Sequence, residues 1–223
     1  MKSQLATWFC RGLASLTRTI DARIPPASPA ERTLYLTFDD GPHPAGTVAL
    51  LDVLARHRAA ATFFLIGDNA QRRPDLVRNI IDAGHAVGNH SQTHVDGWKA
   101  SRIATLRDYL RGSQTLAEIT GHVPNRLRPP FGKITNAVAQ WAIRHRQRVT
   151  LWDVMPPDFD PRSTVEILSR SLLRGVRPGS IVCLHDNDAS ASRTPQLLEE
   201  CLPRLREEGW TFAALPEVQP REA

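Results

Sequence analysis

An α/β barrel built on a parallel sheet is the fold class that the sequence predicts, and three features predict it. Short β-rich runs are apolar on both faces, amphipathic helical stretches alternate with them, and the residues with chemistry gather where the strands end. Strands buried on both faces belong to parallel sheets covered by helices. About seven or eight such units in one domain point to a closed or nearly closed barrel rather than an open sheet. The units share no recurring signature, which excludes a solenoid.

The elements follow in order. Thr33–Phe38 (TLYLTF) is a strand ending in the turn signal Asp39-Asp40-Gly41-Pro42, and Thr47–Arg58 is helical, with Val48, Leu51, Leu54 and Ala55 on one face. Ala61–Ile66 is a near-continuous apolar strand, Asp75–Ala83 a helix ended by Gly84, and His85–Asn89 a strand. A longer helix is expected from about Ser101 to Ile119. Then come a strand at Arg126–Phe131, a helix at Asn136–Arg146, a strand at Val149–Val154 and a helix at Val165–Arg174. Ile181–His185 is a strand, Pro195–Glu208 a helix and Trp210–Leu215 a last strand.

The chain of 223 residues, 41% hydrophobic and 23% charged, suits one such domain and excludes a disordered, coiled-coil or collagen-like chain. No run approaches a membrane span. Cys10, Cys183 and Cys201 are odd in number and far apart, which argues against a disulfide framework and suits a reducing compartment. Arginine is spread through every region, so the net charge of +5 reads as a solvated basic surface and no nucleic-acid partner is expected.

Residues 1–30 read as an amphipathic helical extension, with Leu5, Phe9, Leu13, Leu16 and Ile20 at helical spacing and Lys2, Arg11 and Arg18 between them. Either a helix packed across one end of the domain or a peripheral membrane contact through residues 1–24 fits this pattern. The apolar stretch Leu5–Cys10 is short and Arg11 interrupts it, so a secretory signal is not expected. The barrel is assigned to residues 31–217 and a tail to 218–223. A cytoplasmic location is expected, with contact at the inner membrane face as its extension.

In a parallel barrel the C-terminal strand ends form the functional rim. On that rim fall Asp39-Asp40, His90 with His94, Arg128 to Gly132, Asp153 with Asp158, and His185-Asp186. Each piece alone has an ordinary reading: a turn, a solvated acid, a surface cation, a core histidine. Together they can do specific chemistry. Two histidines and a carboxylate hold a divalent ion and leave positions open. Such an ion lowers the pKa of water and polarises a carbonyl. One aspartate could bind the ion while its neighbour takes a proton, an arginine keeps that base ionised, and a further histidine protonates a leaving amine. Metal-assisted hydrolysis of an amide or ester is the consequence.

TFDDGP, HSQTH, RPPFG and LHD, in this order, resemble the polysaccharide deacetylase family (the NodB-homology domain, carbohydrate esterase family 4) over about residues 33–215. The resemblance implies a distorted (β/α)7-type barrel. It implies Asp39 as general base, Asp40, His90 and His94 as ligands of a divalent metal (zinc, with cobalt or another divalent ion able to substitute), and Arg128 orienting Asp39. It further implies that the Phe131 N–H donates to the oxyanion, that Leu184 lines the pocket for the acetyl methyl, and that His185 is the general acid. Asp158 is kept from the family's fourth motif and would tune His185 or Arg128. Met155 and Phe159 stand where that motif has an aspartate and a tryptophan, which reshapes the pocket wall.

Trp98 either stacks on a sugar or covers the barrel mouth. His43 either contacts substrate or is a plain turn residue, and Cys183 reads as core. The expected activity is metal-dependent removal of N-acetyl groups from amino sugars of a glycan, oligosaccharide or lipid-linked glycoconjugate, with an N-acetylated carbohydrate as partner. An O-acetyl esterase or deformylase on the same barrel, and a non-catalytic glycan-binding barrel, are the alternatives.

Overall fold

In the computed structural model, residues 20–28 and 30–218 are described. Their strands are β1 (Ile20–Asp21), β2 (Thr33–Asp39), β3 (Ala61–Leu65), β4 (Ala86–Asn89), β5 (Arg126–Leu127), β6 (Arg148–Thr150), β7 (Ile181–His185) and β8 (Thr211–Phe212). Their helices are α1 (Gly46–Arg56), α2 (Gly67–Arg72), α3 (Pro74–Asp82), α4 (Arg102–Thr120), α5 (Asn136–Arg144), α6 (Val165–Gly175) and α7 (Arg193–Glu207). The strands pair in the order β1-β6-β5-β4-β3-β2-β7, every pair parallel, and β8 adds to the start of β2. The result is the expected curled parallel sheet wrapped by helices.

Strand parity separates two cores. From β2 and β7, Leu34, Leu36, Phe38, Val182 and Leu184 pack outward against Leu50 and Leu54 of α1 and Leu197, Leu198 and Leu202 of α7. The alternate residues Tyr35, Ile181 and Cys183 turn inward and meet Phe64, Trp152 and Leu215 in the barrel interior. The inward rows run on through Thr37 to Asp39 on β2 and from Cys183 to His185 on β7, and Asp39 and His185 are register partners. The catalytic candidates therefore sit on the polar end of an otherwise apolar barrel interior.

The far edge of β7 is closed by fragments rather than by a full strand. Val154 bridges Val182, Arg23 bridges Ser180, and the Ile24 N–H donates to the Gly179 carbonyl at 2.9 Å. Gly179 has φ +80°, and a Cβ there would lie 1.7 Å from the Ile24 carbonyl oxygen, so only glycine permits this closure.

The barrel begins before residue 31. Ile20, expected on a helical face, is instead in a strand paired with Val149. Its neighbour Asp21 accepts from Arg126 Nη1 at 2.8 Å and from Arg148 Nε at 2.6 Å. Residues 20–24 of the expected membrane contact are thus built into the sheet, while residues 1–19 and the end of the tail, 219–223, lie outside the described residues. Other strands are shorter than expected: Pro129 and Pro130 have no N–H to give a ladder, so β5 stops at Leu127. The short helix α2 was not anticipated, because its sequence GDNAQR carries almost no apolar periodicity. No helix among the described residues is long and apolar enough to cross a membrane.

Candidate active site

Asp39 ends β2 with 3% of its surface exposed, inside a fixed frame. Arg128, fully buried, donates from Nη1 to Asp39 Oδ1 at 2.7 Å and to Thr37 Oγ1 at 2.7 Å. Its remaining nitrogens donate to the carbonyls of Thr150 at 3.2 Å and Leu151 at 3.1 Å. The guanidinium also lies 4.2 Å from the centre of the Phe64 ring. All three nitrogens donate, four of the five N–H groups are used, and the charge is stacked, which is what a buried arginine needs. Asp39 Oδ2 stays free of Arg128 and faces the Cys183 Sγ at 3.4 Å and His90 Nε2 at 3.8 Å.

Successive residues of a regular strand point apart, yet Asp39 and Asp40 both reach the site. Asp40 leaves the strand with φ +77°, which swings its side chain back to the rim. Ser91 (φ +67°), His94 (φ +59°) and Phe131 (φ +60°) share this left-handed conformation, so four of the six such non-glycine residues among those described lie at the site. Each costs about 1–3 kcal/mol, a strain that surrounding bonds must hold. In the His90–His94 loop that holding is done from α4 and the end of β4: Asp108 accepts the N–H groups of Gln92 at 3.0 Å and Thr93 at 3.1 Å, and Asn89 accepts that of Ser91 at 2.7 Å.

Asp40 Oδ1 lies 3.2 Å from His94 Nε2 and 3.5 Å from His90 Nε2. The His90 Nδ1 is 2.8 Å from the Arg128 carbonyl oxygen, so it must carry the proton and donate. In neutral His90 that leaves a bare lone pair on Nε2 aimed toward a carboxylate oxygen. Asp40 Oδ1 is itself buried with no hydrogen-bond partner. Three lone-pair atoms converging on one point, with an orphaned oxygen among them, are the arrangement a cation satisfies, and Asp40, His90 and His94 group as a candidate ligand set. Burial would raise the Asp40 carboxyl, but with the facing nitrogens of His90 and His94 protonated and donating, the two imidazoles override it and hold the group well below the usual carboxylate range. Asn187 donates to Asp40 Oδ2 at 2.8 Å and orients it.

On the neighbouring strand, His185 Nδ1 lies 2.7 Å from Asp158 Oδ1, and its backbone N–H donates to Asp158 Oδ2 at 2.7 Å. Asp158 is completely buried and also accepts from Thr194 Oγ1 at 2.8 Å. Burial would lower the imidazole pKa, but the Asp158 charge and hydrogen bond outweigh it and push His185 up to about 9. His185 is therefore a proton donor at neutral pH, and Asp158 serves it rather than Arg128. Phe159, which the resemblance places where the family's fourth motif has a tryptophan, stands edge-on to the His185 ring at 5.5 Å.

Phe131 packs edge-on to His94 at 4.6 Å, and its N–H meets no acceptor among the described residues. Trp98, 57% exposed, donates from Nε1 to the Ile134 carbonyl at 3.0 Å and flanks Lys133, which ties it to the turn at the barrel mouth. Asp153 lies away from the site: it accepts the Ile181 N–H at 2.9 Å and bonds Ser180 and Arg177 at the sheet closure. His43 is a rim residue held by Gly46 and Asp188.

Leu184 requires a correction. It is fully buried in the core between sheet and helices and does not face the site. The inward position next to Asp39 belongs to Cys183, one residue earlier. Parity with His185, two residues on, was the signal available in the sequence. Thr37, Asn69 and Asn187, which buttress Arg128 and Asp40, carried no such signal.

Comparison with known proteins places the chain in a family. The polysaccharide deacetylase family model matches residues 27–149. A chitooligosaccharide deacetylase of Sinorhizobium fredii is 34% identical over 205 residues, covering 87% of this chain and 95% of that protein. A peptidoglycan-N-acetylglucosamine deacetylase of Bacillus cereus is 34% identical over 192 residues, covering 84% and 88%. The crystal structure of the Bc1960 peptidoglycan N-acetylglucosamine deacetylase superposes with a TM-score of 0.83 at 28% identity, covering 92% of this chain and 94% of that one.

Proposed function

This chain belongs to the polysaccharide deacetylase family, and from that premise we propose that it is a metal-dependent hydrolase removing N-acetyl groups from amino sugars of a glycan. The observation that carries the proposal is the orphaned, buried Asp40 Oδ1 facing the His90 and His94 nitrogens beside the Asp39–Arg128 and His185–Asp158 pairs. Two imidazoles and one carboxylate suit zinc, and cobalt by the same donors. When bound, such an ion supplies Lewis acidity and lowers the pKa of water.

The chain's own groups do the rest. Asp39, oriented through Oδ1 by Arg128, takes the proton of the attacking water on the oxygen that Arg128 leaves open. The Phe131 N–H donates to the carbonyl oxygen as negative charge develops there. His185, already protonated, gives its proton to the nitrogen as the C–N bond breaks, so acetate and a free amine leave.

Acetate release from N-acetyl-chito-oligosaccharides tests the proposal, using metal-stripped protein with and without added zinc or cobalt and D39N as control. Metal-dependent release that D39N abolishes is expected. Failure to bind zinc or cobalt at all would sink it. Residues 1–19, basic and amphipathic in sequence, support action at the inner face of a membrane. Unchanged membrane fractionation after their deletion would remove that part of the proposal.

A further inference from the structure

A cleft of about 700 Å³ opens beside Asp40 and His94 and reaches Arg72 and Arg73 at the end of α2. Asn69 anchors it to the site, donating from Nδ2 to the Asp40 backbone carbonyl at 2.8 Å. Arg72 donates to Asn69 Oδ1 at 3.2 Å, one turn further along the helix. Arg73 follows directly as the residue that ends the helix and also lines the cleft. We propose that this cleft takes an acidic substituent of the sugar substrate, a phosphate or a carboxylate, on the guanidinium groups of Arg72 and Arg73. The inference rests on the deacetylase reading and narrows its substrate class.

Charge accounting within the cleft supports it. Among the described residues neither arginine pairs with a carboxylate, and Arg72 bonds only a neutral amide. None of the acids that line the same cleft is given an ion pair with either arginine among the described residues. Asp188 pairs with His43 at 3.0 Å. Asp186 accepts from Thr47 Oγ1 at 2.5 Å, and burial raises its carboxyl to about 6. Asp40 faces the two histidines. A neutral sugar needs neither of two adjacent guanidiniums, whereas their forked N–H groups match the oxygens of a phosphate or carboxylate. Both line the same cleft as Asp40 and His94, which suits a group carried on the same sugar or on its neighbour.

The test compares kcat/KM for acetate release from N,N′-diacetylchitobiose, from its 1-phosphate, and from the N-acetylglucosamine–N-acetylmuramic acid disaccharide, whose acid is a carboxylate. At least one acidic sugar is expected to be preferred by roughly tenfold or more, and R72Q/R73Q to bring that preference to near unity. Which of the two acidic sugars gains identifies the group recognised. Equal kcat/KM for all three, or a preference that survives R72Q/R73Q, would overturn the inference. Calorimetric titration of the zinc-loaded protein with both acidic sugars separates the two readings. Binding lost in R72Q/R73Q, without acetate release from any sugar, would uphold the cleft and overturn the deacetylase. Neither binding nor release would overturn both.

Discussion

The Cys183 Sγ lies 3.4 Å from Oδ2 of Asp39, the carboxylate oxygen that Arg128 leaves open. Burial, together with the Asp39 charge, pushes this thiol well above its ordinary pKa, so it stays protonated and inert. Iodoacetamide at pH 8 should leave Cys183 unmodified in the folded protein and label it after denaturation, as read by peptide mass spectrometry. Rapid labelling of the native protein would show that the thiol is open to solvent.

Arg128 should matter to stability as much as to catalysis. R128A strands a buried Asp39 carboxylate and frees the Thr150 and Leu151 carbonyls, a loss of about 3–5 kcal/mol. R128K keeps the charge but cannot make the four directed bonds, so it should fall between wild type and R128A in thermal denaturation. A melting temperature in R128K equal to wild type would refute the geometric part of this account.

With His185 as the proposed acid, the alkaline limb of activity should follow its titration. Its folded-state pKa, about 9, is raised above the ordinary imidazole value of 6.5, so its contribution to stability is complete below about 6.5 and is lost as pH rises through about 9. Activity that needs the protonated acid should fall through the same upper value. In D158N the charge that raises His185 is gone, and the alkaline limb should move toward neutrality. A pH–rate profile with the same alkaline limb in both proteins would exclude His185 as the acid.

Asn187 orients Asp40 without belonging to the candidate ligand set. N187A should therefore weaken zinc affinity by about 10–100-fold while leaving the fold intact. Competition against a chromophoric chelator measures this directly, independent of turnover.

Gly112 of α4 lets that helix approach the histidine loop. A Cβ there would lie 2.7 Å from Asn89 Oδ1 and 2.8 Å from the Ser91 backbone carbon. G112A should cost about 1–3 kcal/mol by overpacking and should lower zinc affinity too, because Ser91 lies between His90 and His94. Loss of stability with unchanged zinc affinity would show that the loop does not depend on this contact.

Much of this architecture was legible in the residues. TLYLTF, ATFFLI and IVCLH read as buried strands because both faces are apolar, and these are the strands that bring Asp39 and His185 together. Asp40, His90, His94 and Arg128 were legible because carboxylate, imidazole and guanidinium at strand ends have few other reasons to converge. The first strand was not, because Ile20 and Asp21 are held by pairing to Val149 and Thr150 across the chain, which no local period records. Nor was the choice of Cys183 over Leu184: both are apolar, and only strand parity distinguishes inside from outside. Positive φ at Asp40 and His94 was likewise hidden, since tertiary bonds rather than local preference impose it.

The register pairing of Asp39 with His185 has a consequence for how such a protein can change. The backbones that carry the proposed proton acceptor and proton donor are one inter-strand spacing apart, about 4.8 Å. That interval is maintained by a ladder of peptide groups, so it is insulated from the segments around the mouth. Arg72, Trp98 and Phe159 all lie outside the strands and can be exchanged without altering the interval between taking a proton and returning it. New acceptors can thus be acquired by rewriting the rim, while the reaction itself is inherited unchanged from the sheet.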